Sequence, residues 1–264
     1  MRSASVGFQC PVCLKEGAAT LRTPQAVYGG RAHTRPLVTQ VLLGINVLAF
    51  LVTTASGTGV LFGGSPSKVF YRLALAPSIH PEFAGDQFVG FFDGVAQGQY
   101  YRLLTAVFLH FGIIHIALNM FCLYSLGPAL ELALGRVRFT VLYLLSGLAG
   151  STLSYALGPE QMLAAGASGA VFGLFAAFFV VQRKRGGDVS AIAVTIGINL
   201  FISFAATFID WRGHVGGLIG GAAVTAALVY APAGKRRAVL QLAGAVGVAV
   251  VIGLGVVART AALT

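Results

Sequence analysis

Long apolar runs separated by short polar clusters dominate the chain from residue 37 onward. A membrane-spanning helix needs about 20 largely apolar residues. On that measure the pattern predicts seven spans, at about 37–55, 113–133, 138–157, 167–182, 190–208, 214–231 and 238–258. The predicted fold class is therefore all-α, a polytopic membrane helix bundle with seven transmembrane helices. The fourth and sixth runs are rich in Gly and Ala, which lets helix backbones approach closely. The stretch 56–112 is long for a connector, and loops of that length tend to carry function or to be disordered. Within it, GQYYRLLTAVFLHFG is amphipathic. Arg102 among its alternating apolar residues suits a segment lying at the membrane interface.

Composition strengthens the membrane reading. Of the 264 residues 56% are hydrophobic and 10% charged, where a soluble domain carries about 25% charged residues. The formal net charge of +10 sits in short clusters between apolar runs, not in one stripe, so no nucleic-acid partner is expected. With a cytoplasmic N-terminus, thirteen of the 18 Lys and Arg fall on the inside, among them Arg183–Arg185 and Lys235–Arg237. Lys15 and Arg22 count with that group, while Lys68, Arg72, Arg102, Arg212 and Arg259 fall outside. The excess predicts N-in and C-out, and the Ala, Gly, Val and Arg content points to a bacterial plasma membrane. The first 30 residues hold no apolar leader run, so no cleavable signal peptide is expected. Three cysteines, Cys10 and Cys13 in a CxxC and Cys122 alone, make no disulfide framework.

Span parity brings chemistry together. Helices two, four and six all run from outside to inside, so their starts share one depth. The polar residues there are His115, Asn119, Ser168 and His214. Ser168 lies in Gly166-Ala167-Ser168-Gly169, and a serine hydroxyl needs a nearby base to attack a carbonyl. In a chain with 35 glycines, such a string is as readily a packing motif. His214 opens the sixth run in GHVGGLIGG. An ionisable residue at membrane depth marks a functional hypothesis, although an interfacial histidine can merely wet a helix start. Gly213, Gly217 and Gly221 leave one face bare for a second helix. If that helix is the fourth, Ser168 and His214 can meet. His115 and Asn119, four apart, share a face. Both can donate to a developing oxyanion, as can the Ser168 amide; equally, they can be a polar pair that glues helices. On a continuing helix His110 would face elsewhere; it is instead expected in the loop, with no catalytic role. Asp210 reads as a surface residue near a helix N-terminus, where negative charge is favourable, and Glu131 as a packing or loop contact.

These motifs resemble the rhomboid family of intramembrane serine proteases. The residues that carry it are GQYYR with Arg102, HIALN with His115 and Asn119, GASG with Ser168, and GHVGGLIGG with His214. They cover roughly residues 95–232. The resemblance implies a Ser168–His214 dyad with no carboxylate and oxyanion donors at His115, Asn119 and the Ser168 amide. It also implies a first loop with Arg102 partly in the outer leaflet and a structural Glu131. Gly166, Gly169, Gly217 and Gly221 are structural or substrate-adjacent. Two departures stand out. Tyr101-Arg102 replaces a frequent Trp-Arg. Phe172 occupies the place of a tyrosine that packs on the catalytic histidine, and it can stack but not donate. The implied organisation is an N-terminal cytoplasmic segment 1–35, a six-helix protease core 36–232 and an added C-terminal helix in 233–264.

Cys10 and Cys13 resemble the end of a zinc-binding module, but a structural zinc needs four ligands and His33 is isolated. No metal and no cofactor are expected. The expected substrates are transmembrane segments of other proteins in the bilayer, cut near their outer end. An inactive rhomboid-like protein that binds membrane clients stands as the alternative. A small transporter fits less well, because no ionisable ladder crosses the spans. The substrate proteins and the oligomeric state are not legible in the sequence.

Overall fold

Every one of the seven apolar runs is helical in the computed structural model, which describes residues 2–4, 7–13, 25–55, 66–84 and 87–264. They are α1 (Leu37–Ala55), α2 (Ile113–Leu134), α3 (Arg136–Leu157), α4 (Ser168–Lys184), α5 (Ser190–Ala205), α6 (Trp211–Val229) and α7 (Arg237–Leu263). By length and composition α1, α2, α3 and α7 can cross a membrane. Helices α4 and α5 have 17 and 16 residues, and the five glycines of α6 from Gly213 to Gly221 dilute its hydropathy. Length and hydropathy thus support four of the seven expected crossings. The sixth helix begins at Trp211, a turn-length ahead of His214, because the Asp210 side chain caps it by accepting from the Arg212 N–H at 3.2 Å. Lys15 and Arg22 lie outside the described residues.

Helices α3, α4 and α6 form the centre, and their contact is backbone on backbone. A Cβ on Gly217 would lie 1.9 Å from the Gly169 carbonyl oxygen, and one on Gly221 2.3 Å from Gly173 Cα. A Cβ on Gly150 of α3 would lie 2.6 Å from the Gly213 carbonyl. Among apolar lipid tails helices gain little by hiding apolar surface, so close packing of small residues supplies the attraction. Beyond these glycines the core widens into Leu142, Tyr143, Leu174, Val224 and Leu228. Outward-facing Leu48, Leu51, Phe121, Tyr124, Val251 and Leu254 are exposed, an apolar exterior suited to lipid.

Glu131 carries out the structural contact expected of it. It is 1% exposed and accepts from the Val38 N–H at 3.0 Å, the Thr39 N–H at 2.8 Å and the Thr39 hydroxyl at 2.8 Å. The first N–H groups of a helix have no partner inside it, so a carboxylate of α2 caps α1. Beside it Thr39 fills the space over Gly127, where a Cβ would sit 2.7 Å from the Thr39 methyl. Glu131→Ala is expected to cost about 1–3 kcal/mol by stranding those donors. Thermal unfolding in detergent should show a clear fall in Tm, whereas exposed Glu160→Ala should show none.

The long connector differs from the all-helical expectation. It holds a short helix Lys68–Leu73 and an antiparallel hairpin, His80–Ala84 with Gln87–Phe92. A second two-stranded pair joins Arg2–Ala4 to Gly7–Gln9. The GQYYR segment makes only a four-residue helix, Arg102–Thr105, and the Arg102 side chain is buried. Its guanidinium donates to the Tyr71 carbonyl at 2.6 Å, the Ala74 carbonyl at 2.8 Å and Gln99 Oε1 at 2.7 Å. Those acceptors satisfy the charge that a snorkelling side chain would carry to water. Leu75 then pairs with Ala164 through two 2.9 Å backbone bonds, tying the connector to the approach of α4.

Helix α7 lies against α3 and α6. Gln241 donates to the carbonyls of Leu228 at 2.6 Å and Tyr28 at 2.9 Å and accepts from Arg138 at 2.7 Å. At the other end, the Tyr155 hydroxyl meets Thr260 at 2.9 Å. Cys10 and Cys13 are exposed.

Candidate active site

Ser168 is the first residue of α4. The chain reaches it through Gly166, whose φ of +150° favours glycine and whose N–H donates to the Ala106 carbonyl at 2.9 Å. Glycine is required here for a second reason. A Cβ at Gly166 would lie 2.9 Å from His115 Nε2 and 3.4 Å from Ser168 Oγ, so the imidazole and the hydroxyl border one small space. The Ser168 N–H belongs to the first turn of α4, where helical partners are lacking. That amide and the hydroxyl therefore share a helix N-terminus, a setting that favours negative charge.

His214 reaches the same face from α6. Its ring stacks on Phe172 with centroids 4.2 Å apart and planes 14° apart. Phe172 lies one turn beyond Ser168 on α4 and therefore on the Ser168 face. The glycine contacts at Gly169 and Gly213 hold the two helices together at this level. His214 Nδ1 is 2.6 Å from the Ser203 hydroxyl of α5. No hydrogen bond joins Ser168 to His214 among the described residues; Phe172 and the Gly169–Gly213 contact link their helices at this level.

Asn119 is buried on α2, and its Nδ2 donates to the His115 carbonyl at 2.9 Å. An amide NH₂ has two donors, so one remains. The His115 ring lies parallel to Phe111, 6.5 Å between centroids. His110 lies in the loop, as expected, and its ring meets that of His115 edge-on at 5.0 Å. Helix α2 begins only at Ile113, so the helical spacing argument does not reach His110, and the extended chain at Leu109 folds it inward. It is fully buried, and burial, with His115 beside it, pushes its pKa down to about 3. It is therefore a neutral wall of the site.

Asp210 is engaged away from His214. One carboxylate oxygen caps α6 and the other accepts from the Ser154 hydroxyl of α3. Arg102 does not touch the reacting groups; it fixes the connector behind Gly166. Gly217 and Gly221 act through the α4–α6 contact described above. Sequence reasoning missed Ser203. A serine inside an apolar helix carries no mark that distinguishes a partner on another helix from its own backbone.

Comparison with known proteins places these residues in a family context. The Rhomboid domain model matches residues 97–231. Rhomboid protease GluP of Bacillus subtilis (strain 168) is 43% identical over 166 residues, 58% of this chain and 32% of that protein. Putative rhomboid protease YdcA of the same organism is 36% identical over 141 residues, 52% of this chain and 71% of its own length. RHOMBOID-like protein 6, mitochondrial, of Arabidopsis thaliana is 31% identical over 207 residues, covering 70% of this chain and 66% of its own. The aligned part thus spans about a third of GluP and most of YdcA.

Proposed function

Because the chain belongs to the rhomboid family, we propose that it is an intramembrane serine endopeptidase that cuts transmembrane segments of other proteins with a Ser168–His214 dyad. The observation that carries this reading is the shared space at Gly166. There His115 and Ser168 converge beside the Phe172 face on which His214 stacks. A nucleophile, a base and oxyanion donors on three different helices serve no evident packing need.

The chemistry runs as follows. His214 takes the Ser168 proton as Oγ attacks the scissile carbonyl. The oxyanion draws on the Ser168 N–H, His115 and the free Asn119 donor, fixed dipoles that need no reorganisation. His214 returns the proton to the leaving amine, then deprotonates a water that hydrolyses the acyl-serine ester. Catalytic contacts are often loose without substrate, which accommodates the open Ser168–His214 arrangement. All seven helices cross the membrane in this reading, with the N-terminus cytoplasmic and the site toward the outer leaflet of a plasma membrane. A substrate helix must unwind there to expose a peptide bond, so small or helix-breaking residues are expected at the cut.

Asn119→Ala is expected to lower kcat by about 10²-fold, the loss typical of one oxyanion donor, with little change in KM. Steady-state kinetics in proteoliposomes checks it. The function itself is tested by mass spectrometry of a labelled transmembrane substrate after incubation with the reconstituted protein. A cut within the outer end of the substrate helix supports the reading. Intact substrate across several helix sequences would instead favour a client-binding protein.

A further inference from the structure

Helix α5 is loosely held, and Ser203 is its one buried residue, 2% exposed. Burying a hydroxyl costs free energy unless its hydrogen bonds are met. Ser203 Oγ lies 2.6 Å from the Asn199 carbonyl oxygen and 2.6 Å from His214 Nδ1. The first contact alone would be ordinary, since Ser125 and Thr195 bond back to their own helices in the same way. The two together are restrictive. A serine hydroxyl has one proton and two acceptor sites. A carbonyl oxygen can only accept, so the Ser203 proton goes to Asn199. His214 must then present Nδ1–H to the Ser203 oxygen. In a neutral imidazole this leaves Nε2 unprotonated, and which nitrogen carries the proton is set by the bond the other makes.

We infer that Ser203 is a positioning residue for His214: it selects the Nδ1–H tautomer and so leaves Nε2 as the proton acceptor for Ser168. The inference rests on the dyad reading above. Ser203 fills the orienting place that a carboxylate takes in other serine hydrolases, while Asp210 is occupied by α6 and Ser154. The other groups near His214 do not compete for Nδ1: Phe172 offers only its ring face. When His214 becomes imidazolium, the bond to Ser203 is charge-assisted and stronger, which favours the charged intermediate over the resting state.

The test uses Ser203→Ala and Ser203→Thr in the full chain, with cleavage kinetics in proteoliposomes, thermal unfolding, and ¹⁵N chemical shifts of the His214 ring assigned against His214→Ala. Ser203→Ala should lower kcat about tenfold to a hundredfold, the range for losing one strong hydrogen bond, with KM near wild type. Its His214 signal should move from protonated Nδ1 toward protonated Nε2, and Ser203→Thr should restore both. Wild-type kcat in Ser203→Ala, or a lost rate with an unchanged His214 tautomer, overturns the inference, the latter assigning Ser203 to packing alone. Should Ser203→Thr unfold, the tautomer in Ser203→Ala still decides. Failure of the dyad itself is separable: Ser168→Ala and His214→Ala would then keep cutting, whatever tautomer His214 adopts.

Discussion

Ser168→Ala and His214→Ala are each expected to slow substrate cleavage on the order of 10⁴-fold or more, and the double variant to be little worse than either alone. Residues that act as one unit give such non-additive losses. Without Oγ there is no acyl-enzyme; without the imidazole, Oγ keeps its proton. Neither substitution should unfold the chain. Ser168 is only partly buried in the first turn of α4, and the packing of α4 on α6 runs through glycines that both variants keep. Single-turnover cleavage in proteoliposomes, read beside thermal unfolding of the same samples, separates chemistry from folding. Retained activity in either variant would remove that residue from the mechanism.

Gly217→Val should have the largest effect on stability. Its Cβ would lie 1.9 Å from the Gly169 carbonyl oxygen and 2.6 Å from the Gly169 carbonyl carbon. Those are backbone atoms of the neighbouring helix, so no rotamer change relieves the clash and α4 and α6 must separate. Overpacking a tight core costs about 1–3 kcal/mol, and more where the backbone cannot yield; we expect about 3 kcal/mol or more. Separation also draws His214 off Phe172, so activity should fall with stability. Gly253→Ala is the matched control, because nothing lies within 4 Å of a Cβ there. A Tm for Gly217→Val as high as that of the control would contradict the glycine-on-glycine account.

The seven helices were legible because lipid-facing segments must be continuously apolar, and their boundaries agree with the hydropathy runs to within a few residues. At α6 the start moves to Trp211 because Asp210, expected near that helix's N-terminus, caps it. Parity in the sequence puts His115, Ser168 and His214 at one end; in the structure His115 and Ser168 border Gly166, and His214 stacks on Phe172. The connector was not legible. Its hairpin is held by partners distant in sequence, such as the Tyr71 ring 5.8 Å from Phe92, and local patterning does not encode them. At Arg102 the sequence shows a charge and not the carbonyls of Tyr71 and Ala74 that it meets. His110 is expected in the loop and lies there, but its contact with the His115 ring comes from how the chain folds at Leu109 and has no local signal in the sequence.

A serine made nucleophilic by a neighbouring imidazole reacts with a fluorophosphonate, so covalent labelling reports on Ser168 and His214 together. The reconstituted protein would be treated with a fluorophosphonate and the modified residue mapped by peptide mass spectrometry, in wild type and in His214→Ala. Stoichiometric label on Ser168 is expected in wild type, with labelling slowed by orders of magnitude in His214→Ala. No label on Ser168, or equal labelling of both proteins, would contradict the dyad.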